Sequence, residues 1–480
     1  MRHTTKQLPG FAAMLAALTL SACGAAGAST PSPSVNQVAA ASRTAASSAP
    51  ASTAASASAG ASTAAASASA GPSTAAPIKV GVVESFTGPL ANNSKDNQDG
   101  FNLYLASLNN TVAGRKIQAV FVDDQNQADV ALTKVKQLVE NDKVQAVLGV
   151  QGTPACYAVA QYMQQAKVPT IVSGNCGAQT LTTDPKFKSP YVVRLTQNTV
   201  GLFAPNGDWA YKQGYKKAIL MTSDYGGGLE AGDAAGAAYV KLGGSIVAEI
   251  HPPLGTNDFG PYLAQLNQSA DVILAFMPGI DSLRFAQQYA TYAGQRKPLV
   301  LDMSGQITAG SNLAQAGTAD VGDVGEYAYV SSLDTPENKA FVSAWNAKYP
   351  GRLISGDAAQ GHVAAEVLVA SLKKVNGKIE DTQAFLQALY NTNLATVKGP
   401  VKLDQDHDIV QNMYFWKVIK QGNGVGQQLI DTDTGVTKTW GWTDPAQLAN
   451  FKLGSHKGQW VGMTKAKLAA EIAGKSSAAG

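Results

Sequence analysis

From Ile78 onward, short β-branched runs alternate with longer stretches of helical periodicity, and this alternation limits the possible folds more than any other feature of the chain. Apolar strand candidates are 78–83, 117–122, 144–150, 169–172, 191–195, 218–221, 245–250, 272–276, 299–301 and 326–330. Helix-length segments lie between most of them, at 99–108, 129–141, 157–167, 201–213, 231–242, 259–268 and 282–294. Repetition of this kind predicts parallel sheets covered on both faces. It runs for about 400 residues, too many for one core, so two α/β lobes are expected. Late in the chain the order changes. Segments 335–349, 356–372 and 381–390 read as helices, and 401–404 with 413–419 as a hairpin. Asp431 to Gly435 reads as a turn, Trp440, Trp442 and Trp460 as packing on the second lobe, and the residues from Gly474 onward as disordered.

The N-terminus has a different character. Arg2 and Lys6 precede an apolar run from Phe11 to Leu20 that is too short to cross a bilayer comfortably, and Leu20-Ser21-Ala22-Cys23 closes it with small residues. Residues 1–22 are therefore expected to be an export signal. The tetrapeptide resembles the bacterial lipobox, which implies that Cys23 carries acyl chains and that the lipid makes a lasting membrane anchor. An ordinary signal peptide cleaved near Ala22 is the other reading, and both export the protein. Of the 53 positions from 24 to 76, 22 are Ala, 13 Ser and 5 Thr, and Arg43 is the sole charge. Such a segment buries no core and is expected to act as a tether, spanning on the order of 40 Å as a flexible coil. No later stretch approaches ~18 uninterrupted apolar residues, so no other membrane span is expected. Removing Arg2 and Lys6 from a formal net charge of +3 leaves almost no basic excess, which argues against nucleic acid as a partner.

Open parallel sheets bind ligands outside the carboxyl ends of their strands. The turns to inspect there are 84–90, 149–154 and 173–177 in the first half, and 222–226, 277–279 and 303–305 in the second. Most are small, polar and glycine-bearing, and lead into a helix whose amides could meet a polar or anionic ligand.

Thr87-Gly88-Pro89, the strand end Phe121-Val122-Asp123-Asp124, the helix Lys134-Val135-Lys136-Gln137-Leu138-Val139, Asp224-Tyr225-Gly226, and Lys398-Gly399-Pro400 followed by Leu403-Asp404 occur in that order. Together, from about Ile78 to about Ile419, they resemble the type I periplasmic solute-binding proteins of branched-chain amino-acid ABC transporters. The resemblance implies two doubly wound parallel-sheet lobes joined by a three-stranded hinge. The expected bounds are 77–197 and 331–400 for the N-terminal lobe, 198–330 and 401–470 for the C-terminal lobe, of which the part after 420 fits the family least well, and 471–480 for a disordered tail. It also implies a monomeric clamp that closes on one small solute and hands it to an ABC permease and its ATPase. The lipobox and tether would hold that clamp as a cell-surface lipoprotein on the outer face of the cytoplasmic membrane. A sensor that reports occupancy to a membrane signalling protein is the alternative use of the same clamp.

Carried over position by position, the resemblance places the solute carboxylate against Thr153, puts Gly174 and Cys176 beside it, and makes Tyr225 an aromatic wall. Ser85, Gln151, Asn175 and Met277 join the candidate contacts because they sit in the same turns. Plainer roles exist for several: Thr153 as a helix cap, Gly174 as a turn residue, Asn175 as a partner for local amides, Met277 as core. Two positions depart from the amino-acid pattern. Ser304 stands where the acidic partner of the solute ammonium is expected, and Asn92 and Asn93 where a cleft aromatic is expected. Burying an ammonium without a counter-charge is costly. Either Asp302, Glu84 or Asp224 supplies that charge, or the solute is an amide, urea, an aromatic acid or another small polar molecule.

Cys156 and Cys176 fall at the ends of strands expected to be adjacent, in an exported and oxidising setting, which suits a disulfide, with buried free thiols as the alternative. No enzyme is expected. His251, His362, His407 and His456 are isolated in sequence, and Ser371-Leu372-Lys373-Lys374 lacks the companion motifs of its S-x-x-K class. Asp404, Asp406 and Asp408 imitate a calcium loop, but Ile409 stands where glycine is required and Phe415 where the bidentate glutamate belongs, so neither a metal nor a cofactor is expected.

Overall fold

Strand β1 (Ile78–Glu84) carries apolar residues on both faces, and both are covered. Ile78, Val80 and Val82 enter one apolar layer and Val83 the other, while Gly81 leaves room for Leu138. Such a strand belongs inside a parallel sheet between helical layers. The computed structural model describes residues 76–475 apart from Gln268, 293–297 and Thr443. The expected export signal, Cys23 and almost all of the expected tether lie outside the described residues, as do 476–480 of the expected tail.

In chain order the first lobe continues with α1 (Ala91–Ser107), β2 (Thr111–Val112), β3 (Arg115–Asp123), α2 (Ala128–Glu140), β4 (Ala146–Gly149), α3 (Thr153–Ala166), β5 (Thr170–Val172) and β6 (Val192–Arg194). The sheet order is β2-β3-β1-β4-β5-β6, parallel except for β2 against β3. The second lobe opens with α4 (Thr199–Lys212), β7 (Lys217–Thr222), α5 (Gly226–Leu242), β8 (Ser245–Ile250), α6 (Gly260–Leu263), β9 (Val272–Phe276), α7 (Ile280–Tyr292), β10 (Leu299–Asp302), α8 (Gly310–Ala316) and β11 (Val324–Tyr327). The chain then returns to the first lobe for α9 (Pro336–Lys348), α10 (Gly356–Lys374) and α11 (Thr382–Tyr390), whose apolar faces join the layer under β1. It crosses back through β12 (Asn393–Thr396), β13 (Gly399–Leu403), β14 (Ile409–Gln421) and β15 (Gly424–Val436), and ends with α12 (Pro445–Asn450) and α13 (Lys465–Ile472).

The second sheet runs β12-β13-β14-β11-β10-β9-β7-β8, with β15 on the other side of β14. Strands β8 to β11 are parallel with β7 among them, and β12 to β15 are antiparallel. Ala218, Leu220 and Leu274 face α4 and α5, whereas Ile219, Met221 and Ile273 face the layer beneath α7. Connections leave in opposite directions between β1 and β4 and again between β7 and β9. Those switch points open a crevice at the carboxyl ends of each sheet.

Several expectations shift. Helix α1 begins at Ala91, not 99, because its inward face is polar: Asn93, Asp96 and Asp99 are buried there, and Arg352 pairs with both acids. Among the described residues of 259–268, only the single turn Gly260–Leu263 is helical. The strand expected at 326–330 is Val324–Tyr327, and the chain leaves the lobe after it. The expected turn at 431–435 lies inside β15. Residues 393–400 pair into the second sheet, although Val397 packs in the first lobe's core. The tail begins later than 471, since α13 runs to Ile472 and buries Leu468 and Ile472 against the second lobe. Asp404, Asp406 and Asp408 are matched by Lys438, Lys188 and Arg194.

Candidate functional site

The carboxyl ends of both sheets converge on one cavity of about 250 Å³. The first lobe contributes Leu90 after β1, Asn126 after β3, Gln151, Gly152 and Thr153 after β4, and Asn175, Cys176 and Gly177 after β5. Thr196 and Gln197 enter from the crossing segment. The second lobe contributes Thr199 and Phe203 of α4, Tyr225 and Gly227 after β7, Phe276 and Pro278 at the end of β9, Ser304 and Gln306 after β10, and Tyr327 at the end of β11.

Four helices start at this cavity without a side-chain cap: α1, whose N-cap Leu90 lines it, α2 and α3, whose first residues are Ala128 and Thr153, and α5, preceded by Tyr225. Their first-turn amides therefore need partners, and their dipoles favour negative charge. By contrast α4 is capped, with Asn198 accepting from the Gly201 amide at 2.7 Å. Among the described residues no Asp, Glu, Lys, Arg or His lines the cavity.

The carboxylates that could have supplied a counter-charge are engaged elsewhere. Asp302 is fully buried beneath its own loop, where its Oδ2 accepts from the Ile307 and Thr308 amides and from Thr308 Oγ1, each at 2.8 Å. Burial pushes its carboxyl up to about 6, against the lowering effect of those donors. Glu84 is wholly buried and accepts from Ser94 Oγ at 3.1 Å, and desolvation raises its carboxyl well above the usual range. Asp224 forms an ion pair with Lys457 at 2.7 Å on the outer side of its turn.

The loops are held from behind. The Arg194 guanidinium, fully buried, pairs with Asp408 and donates to the Gly177 and Ala178 carbonyls at 3.0 and 2.7 Å. A bond between the sulfurs of Cys156 and Cys176 ties α3 to the loop after β5, with Cα atoms 6.4 Å apart. Across the cleft, Tyr327 Oη donates to Asn175 Oδ1 at 2.8 Å, and Asn175 Nδ2 donates to Asp357 Oδ1 at 2.6 Å. The Ile280 amide donates to the Pro89 carbonyl at 3.2 Å, so the lobes touch directly beside the cavity.

Of the residues singled out in the sequence, Gln151, Thr153, Asn175, Cys176, Tyr225 and Ser304 meet at the cavity. Asn93 lies instead in a small polar recess beside it. Ser85, Gly174 and Met277 do not reach it. Ser85 Oγ turns inward to Asp124 at 2.6 Å, Gly174 packs on the Val150 carbonyl, and Met277 fills the core beneath α7. Phe203, Phe276 and Tyr327 had not been singled out. An aromatic residue on a strand or helix reads as core, and no local signal marks it as facing another lobe.

A sequence profile of the family described as periplasmic binding protein matches residues 77–423. Leu/Ile/Val-binding protein homolog 6 of Brucella melitensis is 32% identical over 353 residues, which is 72% of this chain and 89% of that one. The solute binding protein of an ABC transporter from Rhodopseudomonas palustris BisB5, solved in complex with 3,4-dihydroxybenzoic acid, superposes with a TM-score of 0.70 at 30% identity, covering 75% of this chain and 98% of its own. Its counterpart from Rhodopseudomonas palustris HaA2, in complex with p-hydroxybenzoic acid, gives 0.69 at 28% identity, covering 76% and 99%. The two-lobed fold, its crevice and these matches agree: the chain belongs to the periplasmic binding protein family and is a substrate-binding protein of an ABC transporter.

Proposed function

We propose that this receptor is a monomer anchored to the membrane through Cys23 and a flexible tether, and that the solute it clamps for its permease is a small monocyclic aromatic carboxylate. One observation carries the reading: uncapped helix ends and aromatic walls enclose a cavity that no charged side chain lines among the described residues. A carboxylate would meet the amides of α3 and α5 and the hydroxyls of Thr153 and Thr199. A ring would lie among Phe203, Tyr225, Phe276 and Tyr327. An α-amino acid would fit less well, because its ammonium would be buried with no carboxylate in the lining. Relatives near 30% identity that hold benzoic acids support the same choice.

Binding of this kind has no covalent step. Closure expels water, strengthens each polar contact with the solute, and presents the closed clamp to the permease. Calorimetric titration of the purified protein with benzoate, 4-hydroxybenzoate, leucine, acetamide and urea tests it. Micromolar or tighter binding of an aromatic acid, with leucine at least 100-fold weaker, is expected. Tight binding of leucine, acetamide or urea with no response to the aromatic acids would overturn the reading.

A further inference from the structure

Beside the solute cavity lies a second, smaller recess of about 20 Å³, and the two share Ser304, Gln306 and Tyr327 as walls. Its volume suits one oxygen-sized group, and its far side is polar. Asn93, Ser355 and Asp357 line it there, each at least nine-tenths buried. Asp357 is held in place by two amides, with Asn175 Nδ2 donating to Oδ1 and Asn93 Nδ2 to Oδ2, each at 2.6 Å. A carboxylate offers about four lone-pair sites, so these two donors leave acceptor capacity toward the recess. At the mouth, Ser304 Oγ lies 3.5 Å from Asp302, the outer limit of a hydrogen bond, so its hydroxyl is able to turn to a better partner.

We infer that this recess is a hydroxyl subsite, so that the receptor selects hydroxylated aromatic carboxylates over their unsubstituted parents. A phenolic O–H reaching past Ser304 would donate into a buried set of acceptors, whereas a ring C–H in the same place leaves them unmatched. Sites built to hydrogen-bond a hydroxyl reject the analogue that lacks one far more strongly than apolar pockets reject a missing methylene. The inference rests on the aromatic-acid reading above and narrows it.

Titration of the full protein with benzoate, 3-hydroxybenzoate, 4-hydroxybenzoate and 3,4-dihydroxybenzoate tests it, repeated on Ser304→Ala and Asp357→Asn. At least one hydroxylated acid is expected to bind 10-fold or more tightly than benzoate, and that ratio should fall at least 5-fold in either variant. Equal affinities for benzoate and all its hydroxylated forms would overturn the subsite and leave the aromatic-acid reading standing. A preference that persists in both variants would also overturn it, by placing its source elsewhere. Failure of all four acids to bind would overturn the aromatic-acid reading itself. If Asp357→Asn does not fold, as judged by circular dichroism, Ser304→Ala alone decides, because it removes one exchangeable hydroxyl.

Discussion

The imidazole Nδ1 of His456 lies 2.8 Å from Asp233 Oδ2, and both side chains are almost wholly buried where the C-terminal appendage meets α5. Asp233 also accepts from the Gly454 and Ser455 amides and from the Trp460 indole, while His456 Nε2 pairs with Glu471 at 2.5 Å. Burial alone would lower the imidazole pKa, but the two carboxylates outweigh it and hold it at about 9. A histidine raised on folding contributes stability that is complete below its unfolded value of about 6.5 and is lost as pH rises through 9. Chemical denaturation of the native protein should therefore show about 2–3 kcal/mol of stability lost between pH 6.5 and 9.5 that His456→Gln does not show. Parallel curves for the two proteins across that range would refute it.

Gly279 sits at the lobe contact with φ of +63°, and a Cβ there would come within 2.0 Å of the Pro89 carbonyl. Gly279→Ala should hold the lobes apart. The expected result is a loss of solute affinity of at least 10-fold, with a stability cost to the solute-free protein near the ~1 kcal/mol of left-handed strain. Titration and thermal unfolding of the same variant separate the two effects. Unchanged affinity would mean that closure does not require the contact between Gly279 and Pro89.

How much of this was readable in advance depended on which face of each element did the informing. Strands such as Val272–Phe276 announce themselves because both faces are apolar and turns bound them. Helix α1 hides its first two turns because the residues it buries there, Asn93 and Asp96 among them, meet partners more than 250 positions away in sequence. Strand β15 hides because it pairs on one side only and is rich in Gly, Gln, Thr and Asp, the composition of a turn. Pro278 rather than Met277 faces the cavity, since neighbouring positions along extended chain point to opposite sides. The turns were visible in the sequence, but which side chain of each turn looks inward is decided by lobe packing.

The bond between Cys156 and Cys176 closes a loop of 20 residues that includes part of the cavity wall. In the chain-entropy account such a loop contributes about 3 kcal/mol. Replacing both cysteines with serine should lower the unfolding free energy by roughly that amount, with weaker solute binding because Cys176 lines the cavity. Urea denaturation of wild type and variant, with and without reductant, measures it. Indifference of the wild type to reductant would place the stabilisation in packing instead.

Asp357, which lines the recess beside the cavity, provides a second pH test. Desolvation is the main cause, and the nearby charge of Asp96 adds to it; together they push this carboxyl up to about 7 despite the amides of Asn175 and Asn93. Asp96 is itself paired with Arg352, and Glu84 is the other carboxyl that interacts with Asp357. An acid raised on folding contributes stability that is complete below its unfolded value near 3.9 and is lost as pH rises through 7. Asp302 and Asp433, both raised by burial to about 6, act in the same direction, so a difference between proteins is needed to isolate one group. Relative to wild type, Asp357→Asn should become more favourable by about 3 kcal/mol between pH 4.5 and pH 8. Because this window closes where that of His456 opens, the double variant should lose both slopes independently. Parallel curves for wild type and Asp357→Asn from pH 4.5 to 8 would show that Asp357 is ionised in the native protein throughout.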